Sequence, residues 1–433
     1  MIKSYYDEQY NFRELFNTKT GTYIRSGIIN DNGVETNIDP FMRSFPSLVD
    51  IGIMGRCVHG KSGLCEKAGI QCYQDAPHSN KPNMTLENFK KIIDEGKEKG
   101  LFQVSIGGAG DPDMHENFEE IIRYAAENHI VPNFTTSGLG MTKEKANICK
   151  KWCGAVAISQ YSRLDDPVIV SRKTPTRGHD CTNMPVHFTL AGTNPSCIKN
   201  GNTYIIDGET YTDEIPTDND NRDFRLVFNE TNDTNNYTIN AIQTLLAAGV
   251  KTNIHFVLGN NTIDEAITRL KYNGFPKGIN AVIFLLHKPV GLGKHDNVLK
   301  WWDKRLEEFF NLVNTGKFPF KIGFDSCTVP AIINMTDKIL PESIDSCEGG
   351  RYSMYITADM KALPCSFDNQ DMKWAYDISD DTIQNALDSE PFNLFREHFV
   401  KSCPNCPDRA SCYGGCPICQ EITICHKDNK DLQ

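Results

Sequence analysis

Residues 48–74, LVDIGIMGRCVHGKSGLCEKAGIQCYQ, hold a largely apolar run that leads directly into three cysteines in a polar, glycine-rich loop. The run LVDIGIMG is typical of a buried β-strand that ends just before Cys57. Seven residues separate Cys57 from Cys65 and six separate Cys65 from Cys72, a spacing too loose for a zinc knuckle. Three buried free thiols are the alternative, but a polar loop makes burial a poor explanation. The segment therefore predicts a site of three thiolates at the carboxyl end of a strand.

Strand-like and helix-like segments alternate through the region that surrounds this loop. Six apolar segments have the character of strands: LVDIGIMG, FQVSIGGAG, VPNFTTSG, AVAISQYS, KTNIHFVLG and INAVIFLLHKPVG. Segments with helical periodicity lie between them, and in one, NNTIDEAITRLKYNG, Thr262 and Glu265 predict a capping box. This repeated βα pattern indicates an α/β protein whose parallel sheet curls toward a barrel.

The patterns divide the chain into three regions. Residues 1–50 form a lead-in whose turn signals predict hairpins. Residues 51–295 carry the βα repeat, which an insertion at about 162–235 interrupts with a predicted hairpin, IKNGNTYIIDGETY. This insertion either shapes substrate binding or is a surface embellishment. Residues 296–433 begin with a helix, WWDKRLEEFFNLVN, and continue as a cysteine-rich tail.

Composition excludes several classes of function. The chain has 433 residues and a formal charge of −11 without a Lys/Arg block, so no nucleic-acid surface is expected. No apolar run approaches the ~20 residues that span a bilayer, and the polar start predicts no signal peptide and a cytoplasmic protein. Most of the 16 cysteines cluster in the early loop and the tail of a long chain. This placement favours metal-bound thiolates in a reducing compartment over disulfides.

The early cysteines fit one kind of metal centre. Three thiolates hold three irons of a 4Fe–4S cluster and leave the fourth iron open to a small ligand. Here the frame DIGIMGRC…LC…QCYQ resembles the radical SAM enzymes, whose usual C-x3-C-x2-C loop is shorter. SIGGAGDP, VLGNN and HKPVGLG follow later strands in the order of that family's motifs. The resemblance covers about residues 50–295 and implies a partial (β/α)6 TIM-like barrel with a core cluster on Cys57, Cys65 and Cys72.

The resemblance also implies where S-adenosylmethionine (SAM) binds. The glycine turn would hold its methionine part, and the ends of later strands would contact its ribose, carboxylate and adenine. The implied positions are Tyr73, Gly107, Gly108, Ala109, Gly110, Asp111, Thr136, Ser137, Ser159, Gln160, Val257, Leu258 and Gly259. The plainer explanation of each motif taken alone is an ordinary turn or barrel closure.

The tail carries a second cysteine pattern. Its run CPNCPDRASCYGGCPICQEITIC contains C-x2-C-x5-C-x3-C and resembles the SPASM extension of radical SAM enzymes. That resemblance implies two auxiliary 4Fe–4S clusters. One would take Cys347, Cys365, Cys416 and Cys327, and the other would take Cys403, Cys406 and Cys412 with either Cys425 or Cys419. Taken alone, the tail is equally compatible with four-cysteine zinc sites.

The resemblance implies an oxidoreductase that reductively cleaves SAM to a 5′-deoxyadenosyl radical, which abstracts a hydrogen atom from its substrate. A peptide or protein is the implied substrate, with crosslinking, thioether formation, oxidation or epimerisation as the outcome. An electron donor such as flavodoxin or ferredoxin is the implied partner. The alternatives are a radical SAM enzyme acting on a small molecule and a non-catalytic iron–sulfur or zinc protein. The residues leave open the bond formed, the catalytic acid, base or hydrogen donor, and the oligomeric state.

Overall fold

The computed structural model describes residues 1–62, 71–160, 237–336 and 343–426, together with Ile339 and short strand segments between residues 163 and 231. The N-terminal region forms an antiparallel sheet in the order β1-β2-β3. Its strands are β1 (Ile2–Asp7), β2 (Phe12–Asn17) and β3 (Tyr23–Arg25). The hairpins predicted for the lead-in are therefore present.

Parallel strands and helices then alternate, as the apolar runs predicted. The elements of this first half are β4 (Leu48–Met54), α1 (Val58–Ser62), α2 (Leu86–Glu98), β5 (Gln103–Gly108), α3 (Phe118–Glu127), β6 (Val131–Thr136), α4 (Lys143–Trp152) and β7 (Val156–Ser159). Thr85 caps α2, because its hydroxyl accepts a hydrogen bond from the Asn88 N–H (3.1 Å). Phe89, Ile92 and Ile93 form the buried face of that helix at helical spacing.

The insertion contains a small sheet of its own. Its strands are β8 (Arg163–Leu164), β9 (Val168–Lys173), β10 (His187–Ala191), β11 (Cys197–Asn200), β12 (Thr203–Ile206), β13 (Glu209–Thr212) and β14 (Arg222–Thr231). They are ordered β10-β14-β9-β13-β12-β11, with β8 paired to β14. The antiparallel pairing of β11 with β12 confirms the predicted hairpin. Tyr204, Ile206, Tyr211 and Val227 form a buried cluster separate from the main core.

The second half resumes the alternation and continues into the tail. Its elements are α5 (Tyr237–Ala247), β15 (Thr252–Leu258), α6 (Ile263–Lys271), β16 (Ala281–Leu286), α7 (Lys304–Thr315), β17 (Lys321–Phe324), α8 (Val329–Met335), β18 (Ser353–Ile356), β19 (Lys361–Leu363), β20 (Tyr376–Asp377), α9 (Ile383–Asp388), α10 (Glu390–Lys401) and α11 (Arg409–Cys412). No helix in the described ranges combines the length and the apolar character that crossing a bilayer requires.

One ten-stranded sheet organises these elements, in the order β17-β16-β15-β7-β6-β5-β4-β18-β19-β20. The strands from β17 to β18 in this order all pair in parallel, whereas β19 and β20 are antiparallel. The predicted α/β class with a parallel sheet is thus confirmed. Four strands of the tail region, β17 to β20, extend this sheet beyond the six predicted strands. They are only two to four residues long, which is too short for a periodic pattern to be recognised in the sequence.

The predicted capping box at the start of α6 is wrong. The Thr262 hydroxyl donates to the Val257 carbonyl (2.7 Å) and accepts from the Gly259 N–H (2.9 Å), so it closes the preceding turn instead of capping the helix. The Glu265 carboxylate accepts from Arg269 Nε one helical turn later (2.8 Å). The sequence motif is present, but the Thr262 hydroxyl forms its hydrogen bonds within the turn after β15 and does not cap α6.

A buried ion pair connects the N-terminal sheet to the main body. Glu14 on β2 and Arg43 lie 2.7 Å apart, and neither side chain is exposed. Arg43 also donates to the Gly100 carbonyl at the end of the α2 turn (2.9 Å), and its guanidinium lies 3.9 Å from the centre of the Tyr5 ring. The pair therefore holds β1 and β2 against the turn that leads into β5.

We expect Glu14→Ala to destabilise the protein by about 3–5 kcal/mol, because it leaves the Arg43 charge buried without its partner. The matched control is Glu397→Ala, which removes one partner of the exposed pair Lys401–Glu397. That control should cost less than about 1 kcal/mol. Denaturant unfolding of both variants measures the two free energies, and equal losses would contradict a structural role for the buried pair.

Candidate functional site

The cysteine loop lies at the carboxyl end of β4. Cys57 directly precedes α1, and its Sγ accepts from the Gly60 N–H (3.3 Å). Burial raises the pKa of the Cys57 thiol, and the nearby charge of Cys72 contributes to this shift. Burial likewise raises the pKa of Cys72. The structure thus brings two of the three predicted ligands near each other, whereas Cys65 lies outside the described residues.

The turn after β16 holds the third cysteine in place. The Leu292 N–H donates to the Cys72 carbonyl (2.9 Å), and the Lys294 N–H donates to the Gln71 side chain (3.0 Å). Gly291 has a φ of +61°, and a Cβ at that position would lie 2.4 Å from the Tyr73 carbonyl oxygen. The HKPVGLG motif therefore packs its glycine directly on the Cys72–Tyr73 backbone, which needs a residue without a side chain.

The glycine turn after β5 adjoins the first cysteine. The Ala109 N–H donates to the Met54 carbonyl (3.1 Å), so the turn is fastened to the end of β4. A Cβ on Gly110 would lie 2.5 Å from the Arg56 carbonyl and 3.3 Å from the Cys57 Cα. A Cβ on Gly107 would meet no atom within 4 Å. Gly107 thus faces open space, whereas Gly110 permits the close approach of the two loops.

Four side chains beside this turn form a network that the sequence did not reveal. The Ser137 N–H donates to Asp111 Oδ1 (2.9 Å), and the Ser137 hydroxyl also donates to that carboxylate. His59 Nε2 lies 2.6 Å from Ser137 Oγ and 3.2 Å from Asp111 Oδ2, while the Tyr237 hydroxyl lies 3.3 Å from His59 Nδ1. Asp111 and Ser137 were predicted as SAM contacts, and here they engage each other. The network ties the cysteine loop, through His59, to β5, β6 and α5.

The remaining predicted SAM positions divide by exposure. Thr136 is buried, and its hydroxyl donates to Asp113 (2.7 Å). Gln160 is also buried, and its N–H donates to the His255 carbonyl (2.9 Å), whereas Ser159 is half-buried at the end of β7. Thr136 is therefore held within the protein, and the direct SAM contacts of all three stay predictions.

The end of β15 presents one open side chain. Val257 is 45% exposed, whereas Leu258 is buried in the core. A Cβ on Gly259 would lie 2.8 Å from the side-chain amide of Asn297, so this glycine accommodates a close contact. Of the three predicted SAM positions at the end of β15, which are Val257, Leu258 and Gly259, Val257 is thus the accessible one.

The ring of Tyr73 faces the C-terminal region. It lies against Phe367, with ring centroids 4.5 Å apart and the planes tilted by 39°. Burial raises the pKa of its hydroxyl. Phe367 follows Cys365 by two residues and Tyr73 follows Cys72 by one. The aromatic pair therefore joins the loop of the third core cysteine to the loop of a tail cysteine.

Four tail cysteines form an inner thiol group, which consists of Cys327, Cys347, Cys365 and Cys416. A hydrogen bond with Cys416 and burial raise the pKa of Cys327 well above its usual range. Burial, with the charge of Cys327, raises the pKa of Cys347 to about 12. Burial and the charges of Cys347 and Cys327 raise the pKa of Cys365. The structure thus gathers the four residues predicted to share one auxiliary site.

An outer thiol group, Cys403, Cys406, Cys412 and Cys425, lines a cavity of about 290 Å³. Burial raises the pKa of Cys412 to about 11, and the charges of Cys425 and Cys403 add to that shift. Cys419 does not line this cavity. Its N–H donates to Cys416 Sγ (3.4 Å), and its thiol lies 3.8 Å from Glu421 Oε1. Of the two candidates that the sequence left open, Cys425 therefore lies with the outer group.

The chemistry of these donors fits iron–sulfur clusters. Each thiol group offers four cysteines, the number of thiolates that a closed 4Fe–4S cluster requires. Within the described residues, no three His, Cys, Asp or Glu side chains converge as ligands of a single metal ion. Cluster ligands need no such convergence, because each cysteine binds a different iron.

Comparisons with known proteins agree with this arrangement. The SPASM family model, an iron–sulfur cluster-binding domain, matches residues 347–407. The mycofactocin maturase MftC of Mycolicibacterium smegmatis is 32% identical over 82 residues, which are 19% of this chain and 21% of that protein. The MftC of Mycobacterium tuberculosis H37Rv matches over the same length at the same identity. The chain thus matches about a fifth of the length of these curated relatives.

Solved structures resemble the fold over nearly its whole length. Streptococcus suis SuiB bound to its precursor peptide SuiA superposes with a TM-score of 0.61 at 13% identity and covers 98% of both chains. Native anSMEcpe with bound AdoMet superposes with a TM-score of 0.50 at 15% identity and covers 89% of this chain and 93% of its own. The fold is therefore shared. With the SPASM match, it confirms the resemblance to radical SAM enzymes that carry a SPASM domain.

We expect Gly110→Ala to destabilise the protein by about 1–3 kcal/mol, because the new Cβ meets backbone atoms that cannot move aside cheaply. Gly107→Ala is the matched control on the same turn, where a Cβ meets open space. Denaturant unfolding measures both variants. A Gly110→Ala variant as stable as Gly107→Ala would show that the turn does not pack on Cys57 as described.

Proposed function

We propose that this protein is a radical SAM enzyme that modifies a peptide or protein substrate. The observation that carries the proposal is the cysteine loop on β4 lying directly against the glycine turn on β5. A cluster held by this loop would lie beside a turn whose Gly107 faces open space. The shared fold and the SPASM match support it further.

Cys57, Cys65 and Cys72 would hold the core cluster. When bound there, the cluster supplies one electron for cleavage of SAM and an open iron for its amino and carboxylate groups. The protein orients this site through its own contacts. Leu292 holds the Cys72 backbone, and the network of His59, Ser137 and Asp111 holds α1 against the ends of β5 and β6. SAM would bind along the predicted strand ends, with Gly107 and Val257 as accessible members.

The inner and outer thiol groups would hold the two auxiliary clusters. The inner group takes Cys327, Cys347, Cys365 and Cys416, as predicted from the sequence. The outer group takes Cys403, Cys406, Cys412 and, from the cavity geometry, Cys425. Eight thiolates complete two closed clusters and leave Cys419 as a neighbour of Cys416 in the inner group.

A peptide substrate is supported by the relatives. SuiB has been solved with a precursor peptide, and MftC is named a maturase. Crosslinking, thioether formation, oxidation and epimerisation stay open as outcomes, and an electron donor such as flavodoxin or ferredoxin stays a prediction. A cytoplasmic location and the bounds 1–50, 51–295 and 296–433 stay predictions as well.

Anaerobic reconstitution tests the proposal directly. We expect the reduced protein, given SAM, to produce 5′-deoxyadenosine, and the triple variant of Cys57, Cys65 and Cys72 to alanine to produce none. Cys153→Ala is the control, because Cys153 precedes the amino end of β7, whereas the cysteine loop follows the carboxyl end of the parallel strand β4. Chromatographic quantification gives the result. A cluster-loaded, reduced wild type that neither binds SAM nor forms 5′-deoxyadenosine with a peptide substrate present would refute the proposal.

Iron content tests the assignment of the outer group. We expect Cys425→Ala to lose between about one and four iron atoms per chain, because one iron of the outer cluster is left without its thiolate. Cys419→Ala should retain the wild-type iron content. Iron and sulfide analysis of both purified, reconstituted variants provides the comparison. Loss of iron in Cys419→Ala with retention in Cys425→Ala would reverse the assignment.

A further inference from the structure

A buried lysine lies beside the inner thiol group. Lys288, in the turn after β16, is only 5% exposed. Its Nζ forms an ion pair with Asp325 and donates to the Leu286 carbonyl (2.8 Å). The ammonium lies 4.5 Å from the centre of the Phe367 ring. Three contacts thus fix the position of this charge, which is unusual for the flexible side chain of a lysine.

The surroundings of Lys288 are rich in sulfur. Burial acts to lower the pKa of Lys288, but the Asp325 carboxylate and the thiols of Cys327 and Cys416 raise it above its ordinary value. Lys288 in turn acts to lower the pKa of Cys327 and of Cys365. The lysine therefore stays charged and acts on three of the four inner thiols.

Lysines are seldom buried, because removing an ammonium from water is costly unless partners compensate. Asp325 supplies one compensating charge here. A cluster with four thiolates in the inner group would supply more negative charge, which gives the buried cation a second partner.

We propose that Lys288 is a fixed cation that raises the reduction potential of the iron–sulfur cluster in the inner thiol group. This inference rests on the proposed function, because it requires that group to hold a cluster. Reduction adds one electron and one negative charge to a cluster. A nearby positive charge in a poorly solvated site stabilises the reduced form more than the oxidised form. The negative charge of Asp325 opposes this effect and so limits the increase in the reduction potential.

The position of Lys288 links the reduction potential of the inner cluster to the core loop. Phe367 contacts both the ammonium of Lys288 and the ring of Tyr73, and Tyr73 follows the core ligand Cys72. The inner cluster is thus connected by direct contacts to the core loop. A higher potential makes it the better acceptor of an electron from a substrate radical, which is oxidised in that transfer, or from the reduced core cluster.

The test is a potentiometric titration followed by electron paramagnetic resonance. The background is the full chain with Cys57, Cys65 and Cys72 changed to alanine, so that only the auxiliary clusters contribute. We expect Lys288→Gln to lower one of the two midpoint potentials and to leave the other unchanged as an internal reference. Lys288→Arg should restore the wild-type value, because it keeps the charge. Lys294→Gln, which removes an exposed lysine of the same turn, is the control and should change neither midpoint.

A second variant covers the case in which Lys288→Gln does not load its cluster. Asp325→Asn removes the opposing charge and should raise the same midpoint that Lys288→Gln lowers. Unchanged midpoints in a loaded Lys288→Gln, or in Asp325→Asn if Lys288→Gln does not load, would overturn the inference. Failure of the proposed function is distinguishable, because the wild type would then lack cluster signals or fail to cleave SAM.

Discussion

The parallel pairing of β18 with β4 is the constraint on which the arrangement of sites depends. Ser353 to Ile356 pair with Leu48 to Ile51, while β5 pairs with the other edge of β4. The strand that precedes Cys57, β4, is therefore also the strand with which the C-terminal region pairs. A Cβ on Gly52 would lie 2.2 Å from the Tyr355 hydroxyl, so the packing across this pair is close. Core and tail cysteines consequently share one rigid frame.

The same frame explains the chemistry of the thiols. Burial raises the pKa of Cys57, Cys72 and Cys347, so these thiols remain protonated at neutral pH until a metal displaces the proton. Burying four such thiols together costs desolvation free energy, and the free energy of metal binding offsets that cost. Loading of clusters and stability of the C-terminal region are therefore coupled.

The sequence predicted the βα order because its strands are long apolar runs and its helices carry apolar residues at helical spacing. It did not predict β17 or β18, since four-residue strands have too little pattern and are specified by the sheet edges that they join. The contact between His59 and Tyr237 was not predicted, because the two residues are far apart in the sequence. Spacing alone did not separate Cys425 from Cys419. Gly414 and Gly415 both have positive φ, and this double left-handed turn redirects the chain between the two thiol groups.

The two thiol groups differ in solvation, and this difference gives Lys288 its significance. The outer group lines an open cavity beside Trp301 and Trp302, which are 45% and 64% exposed. Water can screen charge there. In the inner group, burial raises the pKa of Cys347 and Cys365, and a low dielectric disfavours the added negative charge of a reduced cluster. Without a compensating cation, the inner cluster would be the harder of the two to reduce. Lys288, held by Asp325, offsets that penalty at the site nearest the core loop.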